Sequence, residues 1–317
     1  MIAAVLDKPK SFALQHTPLP AINDEQIKIK VEGCGICASS ISVWEGREWF
    51  QYPLEPGSPG HEGWGVVEAT GEKISDVKAG DRVAFLSYHA YAEYDVAQKG
   101  AFVKLPEALH NKPFPGEPLG CALNIFDRSD ISKKDTVAII GIGFLGALLC
   151  QLAKKSGARV IAISRRPYSL DIAKRYGADE VLPLTSAWEV SHAVAELTGN
   201  NFCTRVIEAT GKQEALDVAT EIIGEYGKLI IAGYHQDGLR QVNMQKWNWK
   251  GIDVINAHER DPAKYLTGMQ RAVAAVVEGT IDPTFLYTHA HSLDQLSQGF
   301  ELTQQRPDGF MKALVQL

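Results

Sequence analysis

The sequence predicts an α/β protein, with a β-rich part followed by a doubly wound parallel sheet. Three observations carry that expectation. From Met1 to about Gly116 short β-type runs are punctuated by turn residues. From Glu117 to about Ile255 strands and helices alternate, the pattern of a parallel sheet covered on both faces. Between them lies Val137–Ala158, where a branched apolar run meets a glycine-rich turn and then an amphipathic helix.

That last stretch fixes the reading. Val137–Ile140 suits a buried parallel strand, and Gly141-Ile142-Gly143-Phe144-Leu145-Gly146 follows it. Leu148, Leu149, Leu152 and Ala153 then recur at helical spacing, with Lys154 and Lys155 on the last turn, Gly157 as the stop and a second strand at Arg159–Ser164. Glycines at such a strand-to-helix turn permit the turn itself, leave room for a pyrophosphate and let helix and strand pack closely. The helix N-terminus offers unpaired N–H groups to phosphate. A G-x-G-x-x-G alone is weak evidence, but with strand, helix and second strand in order it points to a dinucleotide.

The other elements follow the same logic. Ile27–Val31 alternates strictly, and Trp64–Ala69 and Arg82–Leu86 are further β runs, separated by turn signals at Gly33, Gly35, Gly57, Gly71 and Ala79-Gly80-Asp81. Past Gly146 a helix is expected at Ser169–Tyr176, with strands at Arg205–Glu208, Lys228–Ala232 and Ile252–Ile255. The tail reads as a helix at Tyr265–Val277, a break at Gly279–Pro283, a helix near Leu293–Thr303 and a last strand Lys312–Leu317.

The 317 residues suffice for two domains, and 45% hydrophobic with 22% charged residues is the composition of a globular protein. A formal charge of −6 with no basic run argues against nucleic acid or an anionic membrane as partner. No apolar run is long enough to span a bilayer, and Met1–Leu14 lacks the features of a signal peptide. Five cysteines make no disulfide framework, so reduced thiols and a cytoplasmic location are expected.

Chemistry concentrates in the β-rich part. Cys37 follows a strand and a turn, and His61 and Glu62 stand in Gly60-His61-Glu62-Gly63-Trp64-Gly65. Thiolate, imidazole and carboxylate are zinc ligands, and glycines around them leave space for an open coordination position. Cys34 and Cys37 also form a C-x-x-C that reads as half of a structural site or as two buried thiols. No second C-x-x-C completes a four-cysteine site, and two ligands fix no geometry, so the catalytic and buried-thiol readings stand side by side.

Gly33–Cys37, Gly60–Gly63, Ala79-Gly80-Asp81-Arg82-Val83, Glu117-Pro118-Leu119 and Gly141–Gly146 occur in one order that resembles the zinc-dependent medium-chain dehydrogenases/reductases, the superfamily of alcohol, sorbitol and threonine dehydrogenases. The resemblance implies a GroES-like β domain, residues 1–121 completed by 256–317, a Rossmann domain, residues 122–255, and an active site in the cleft between. It implies Cys37 and His61 as zinc ligands and Glu62 as the carboxylate beside the metal. Glu117 lies 24 residues before Gly141, the family offset of the third ligand, whereas Cys121 is four residues later. Strand register favours Glu117, with Cys121 as the alternative. Ser39 matches the hydroxyl that passes a proton to and from substrate. Ser40 and Ser42 stand where the family has an aspartate and a histidine, which leaves the onward relay open. The four-cysteine lobe of a structural zinc is missing, so one catalytic ion is expected and no structural one.

At the coenzyme, an NAD enzyme places an acid at the end of the second strand. Here that end reads Ile163-Ser164-Arg165-Arg166. Arginine forks suit a 2′-phosphate, so NADP(H) is favoured over NAD(H), the alternative being arginines that coat a surface. Lys312 resembles a family residue reaching the pyrophosphate, or else is a solvated lysine on an edge strand. The resemblance places Thr210 and Gly233, in the loops after the fourth and fifth strands, beside the nicotinamide. Trp44, Trp49, Phe50, Tyr52, Tyr88, His89 and Tyr91 are candidates for pocket walls, of which one or two are expected to serve. His258, His289 and His291 read as structural or exposed.

The resemblance implies hydride transfer between NADP(H) and a small alcohol or carbonyl, with the Glu-Pro-Leu motif pointing by analogy to a polyol or cyclitol, by a homodimer or homotetramer. A zinc-free quinone or enoyl reductase of the same fold and a non-catalytic NADPH-binding protein are the rivals.

Overall fold

Alternating apolar residues at Ile27, Ile29 and Val31 bury one face of a strand and leave Lys28, Lys30 and Glu32 on the other, and a sheet forms around it. The computed structural model describes all 317 residues and divides into two units: Met1–Gly120 with Asp261–Glu278 and Pro283–Leu317, and Cys121–Arg260 with Gly279–Asp282.

In the first unit β1 (Ile2–Lys8) and β2 (Ser11–His16) form an antiparallel pair. β3 (Gln26–Gly35) is followed by the short helix α1 (Ile41–Glu45), β4 (Gly63–Thr70), β5 (Arg82–Phe85), β6 (Tyr94–Gln98) and β7 (Phe102–Lys104). Helix α2 (Gly116–Ser129) leads into the second unit.

There the parallel strands β8 (Thr136–Ile140), β9 (Arg159–Ser164), β10 (Glu180–Pro183), β11 (Cys203–Glu208), β12 (Ile223–Ile231) and β13 (Asp253–Asn256) are interleaved with helices α3 (Phe144–Lys155), α4 (Pro167–Arg175), α5 (Ala187–Thr198), α6 (Gln213–Ile222) and α7 (Met244–Lys250). The chain then returns to the first unit through α8 (Pro262–Val277), β14 (Tyr287–His291), α9 (Leu296–Gln305) and β15 (Lys312–Gln316).

The first unit's seven-stranded sheet runs β14-β15-β3-β4-β5-β7, with β6 also paired to β3. Its core gathers Ile27, Ile29, Val31, Phe85, Tyr91 and Phe300. The in-out alternation of β3 stops at Gly33-Cys34-Gly35, all buried, where the Trp64 side chain lies against Gly33 and those of Glu62 and Lys312 against Gly35.

The second unit's sheet runs β10-β9-β8-β11-β12-β13, all parallel. Strand order reverses between β8 and β11, the switch point at which open α/β sheets bind ligands outside the strands' carboxyl ends.

The expected strands and helices appear within a few residues of their predicted bounds. The helix near Leu293 opens as a 3₁₀ turn with a Ser292 capping box, and its α-helical part begins at Leu296. The sequence reading passed over β1, β2, α1, β6, β7, α2, β10, α5, α6, α7 and β14. No helix is long and apolar enough to cross a membrane.

Candidate functional site

Register brings the donor residues together. Cys34 of β3 pairs with Gly63 of β4, and Gly35 pairs with Leu314 of β15, so the start of β4, the end of β3 and the start of β15 meet. Gly35 donates its N–H to the Glu62 carbonyl at 3.2 Å. A Cβ on residue 35 would stand 1.8 Å from Glu62 Oε2, so only glycine admits the carboxylate there. Tyr91, fully buried, donates its hydroxyl to the Gly35 carbonyl at 3.1 Å and braces the same turn.

Just past β3, donor atoms of Cys37, His61 and Glu62 all lie within 4.8 Å of one another. Donors that share one tetrahedral ion are roughly 3.5 Å apart. His61 Nδ1 is 2.9 Å from the Pro59 carbonyl, which can only accept, so Nδ1 carries the proton and Nε2 is left as the ligand atom. Ser39 donates its hydroxyl to Cys37 Sγ at 3.1 Å. Ser40 and Ser42 are buried, and Ser42 donates to the Ser39 carbonyl at 3.4 Å.

The surroundings are strongly anionic. Burial alone would lower the His61 pKa, but the hydrogen bond to Cys37 and the charges of Cys37, Glu117 and Glu62 outweigh it and push the imidazole to about 10. Glu117 stands in the first turn of α2, and Cys121 follows one turn later. Neither belongs to the close group of three, although the Glu117 charge is felt by both His61 and Lys312. Cys34 is a buried thiol whose pKa desolvation drives well upward, which fits the buried-thiol reading for this half of the C-x-x-C.

Lys312 departs from expectation. The sequence suggests a basic residue at the pyrophosphate, but the side chain is buried and its Nζ lies 2.7 and 2.5 Å from Glu62 Oε1 and Oε2. The physical reason is the pairing of β15 with β3, which brings Lys312 Cε to 3.1 Å from where a Gly35 Cβ would be. Burial lowers its pKa, and the charges of Glu62 and Cys37 more than restore it.

Of the aromatic candidates, Trp44 and Tyr91 are core, and Phe50 and Tyr52 pack partly buried against it. His89 pairs with Glu55 at 3.0 Å. Trp49 and Tyr88 stay exposed, and the Tyr88 ring centroid is 6.0 Å from that of His61. His258 stacks on Tyr234, and His289 faces Phe310.

In the second unit the glycine turn has the geometry its spacing implies. Nothing stands within 4 Å of where a Gly143 Cβ would be, and one on Gly146 would be 2.0 Å from the Gly141 carbonyl oxygen. Phe144 and Leu145 open α3 directly behind. Ser164 ends β9, buried, and its Oγ accepts the Arg166 N–H at 3.4 Å. The Arg166 guanidinium reaches the Ile142 carbonyl at 3.5 Å, above the glycine turn, while Arg165 is exposed.

The sequence reading missed Glu208 as a functional group. This fully buried acid ends β11, where Oε1 accepts the Thr210 N–H and hydroxyl and the Gly211 N–H at 2.6, 2.5 and 2.9 Å. A carboxylate closing an otherwise apolar buried strand is the signal that could have found it.

Comparison with known proteins gives the family of the chain. Residues 23–107 match the model of the alcohol dehydrogenase GroES-like domain, and residues 145–275 that of the zinc-binding dehydrogenases. A sorbitol dehydrogenase of Halalkalibacterium halodurans is 27% identical over 91% of each chain. The chain belongs to the medium-chain dehydrogenase/reductase family. The structure of 2R,3R-butanediol dehydrogenase from Bacillus subtilis superposes on this dehydrogenase with a TM-score of 0.87 at 24% identity, covering 100% of this chain and 99% of that one. A zinc-binding dehydrogenase from Sinorhizobium meliloti bound to NADP gives 0.85 at 24% identity over the same shares. The enzyme is thus an oxidoreductase acting on a small-molecule alcohol with a nucleotide cofactor.

Proposed function

We propose that this dehydrogenase is zinc-dependent and transfers hydride between NADP(H) and an alcohol or its carbonyl, with a polyol or cyclitol as the substrate class. The convergence of Cys37, His61 and Glu62 carries the reading. Thiolate, imidazole and carboxylate match zinc, and the anionic surroundings that hold a proton on His61 would equally favour a divalent cation in its place. Cys37 Sγ, His61 Nε2 and an oxygen of Glu117 or Glu62 would hold the ion, in residues 1–121 completed by 256–317, and residues 122–255 would hold the nucleotide. Zinc held there would supply Lewis-acid polarisation of a substrate oxygen, and a bound nicotinamide would supply the hydride chemistry.

The chain's own groups do the rest. Ser39, whose hydroxyl rests on Cys37 Sγ, takes and returns the substrate proton by turning about its Cα–Cβ bond. Ser42 orients that turn through the Ser39 carbonyl and does not extend the proton path. Lys312 balances the Glu62 charge. Tyr88 forms a wall next to His61. The 2′-phosphate would meet Arg165 and Arg166 beside Ser164, where no carboxylate opposes it.

The test is metal content of the purified protein together with oxidation of a polyol, cyclitol and simple-alcohol panel with NADP and NAD. One zinc per chain and turnover lost on chelation support the reading. Full turnover without metal would point to the zinc-free reductase, and tight NADPH binding without turnover to the non-catalytic protein.

A further inference from the structure

Beyond the donor cluster, the fully buried Glu208 carboxylate remains unused. Glu208 ends β11, whose last residue pairs with Ile140 of β8 on one side and Ile231 of β12 on the other, at the carboxyl ends of the strands. With Oε1 it gathers the loop of Thr210 and Gly211, and with Oε2 it meets His235 Nε2 at 2.9 Å from the loop after β12. Thr210 in turn touches the glycine turn, since a Gly141 Cβ would stand 2.5 Å from Thr210 Cγ2. One carboxylate therefore ties together three loops of the switch-point crevice.

The far side of the imidazole closes the set. Arg240 donates Nε–H to His235 Nδ1 at 2.8 Å and Nη2–H to the Gly211 carbonyl at 2.7 Å. It also pairs with Asp237, which binds Lys212 at 2.5 Å. Because guanidinium only donates, Nδ1 must be unprotonated and Nε2 must carry the hydrogen given to Glu208. His235 is thus a neutral spacer between an anion and a cation, in one tautomer. A second proton on the ring would set N–H against N–H and break the bond between Arg240 and His235. The charged groups around the ring are Glu208 from β11, Arg240 and Asp237 from its own loop, and Lys212 from the loop after β11; His258 is the nearby ionisable ring, stacked on Tyr234.

We propose that Glu208, His235 and Arg240 form a positioning triad that holds the coenzyme loops ready, and that it does so only while His235 is neutral. The inference rests on the coenzyme reading of this crevice. Coenzyme that prefers the ordered loops binds more tightly to the protein with a neutral His235 than to one whose ring carries both protons.

The experiment measures NADPH and NADH dissociation constants by fluorescence for the native enzyme, Glu208→Gln, Arg240→Met and His235→Gln, from about pH 8 to about pH 5.5. Glutamine at 208 must turn an NH₂ toward His235 and force the other tautomer, so E208Q and R240M should each weaken coenzyme binding about tenfold at pH 8, with kcat at saturating coenzyme nearly unchanged. Glutamine at 235 keeps one donor and one acceptor and cannot titrate. H235Q should bind within about threefold of the native enzyme at pH 8 and lack at least a fivefold part of its acid weakening. Taking the ratio of the two profiles cancels titration of the 2′-phosphate.

Native affinity in both E208Q and R240M, a lower melting temperature with unchanged affinity, or an H235Q profile parallel to the native one would each overturn the triad while leaving the coenzyme reading intact. Failure of the native enzyme to bind either coenzyme would overturn that reading first, and the triad with it.

Discussion

The donor cluster of the first unit and the glycine crevice of the second are built in opposite ways. Cys37, His61, Glu62 and Lys312 come from three stretches of chain, and the Lys312–Glu62 contact spans 250 residues. The crevice is made where consecutive parallel strands end, by main chain and by loops that Glu208 and Arg240 tie together. In the first, side-chain charge is concentrated and then balanced. In the second, main chain lines the crevice proposed for coenzyme, and a buried acid bonds to its loops. The lesson is that the first should fail abruptly when a donor is removed, while the second should shift by degrees.

Replacing a donor is the severest break. Cys37→Ser should abolish stoichiometric zinc and lower kcat/KM by about a thousandfold or more, roughly 4 kcal/mol, with coenzyme affinity held within about twofold. Metal analysis beside coenzyme titration checks it, and a parallel loss of coenzyme binding would erase the contrast. A smaller break comes from Gly35→Ala, whose Cβ displaces Glu62. Zinc affinity should fall about 10–100-fold in competition with a chelator, as when a partner of a metal ligand is disturbed.

The second region should respond more gently. Ser164→Asp sets a carboxylate where the 2′-phosphate is proposed to lie, so NADPH should bind about tenfold more weakly while NADH is unaffected or gains. Zinc content should not move. The smallest effect is expected at the opposite end of the same strands. Asp135 precedes β8 and accepts from Ser132 and Thr204 with Arg205 beside it, and although burial raises its pKa these partners hold it below the ordinary carboxylate value. Its stabilisation is therefore present above about pH 4 and lost as pH falls through the lowered folded value. Asp135→Asn should remove that increment in urea unfolding across the acid range, with activity unchanged.

Legibility followed the same divide. The glycine turn is local, so Val137–Ser164 already contains the strand, turn, helix and second strand that β8, α3 and β9 display. The ligand motif was legible as a set of types, Cys37 with His61 and Glu62, but not as a geometry, because spacing in sequence says nothing of convergence. Lys312 could not be placed, since its setting depends on which strand β15 joins. Helix α7 was hidden because it buries no residue at all, whereas α6 carries a regular apolar face at Ala215, Leu216, Ala219 and Ile222 that the sequence reading passed over. Strand β14 hid behind histidines at an edge with no fully buried position.

The pairing of Lys312 with Glu62 also orders events on the ribosome. A nascent chain displays the carboxylate early, yet its ammonium counterpart is translated only after every strand of the nucleotide-type sheet has emerged. Until β15 zips onto β3, closing the turn at Gly35 would strand a dehydrated negative charge, which costs about 3–5 kcal/mol. The turn at Gly35 is thereby completed only when the last strand of the sheet pairs.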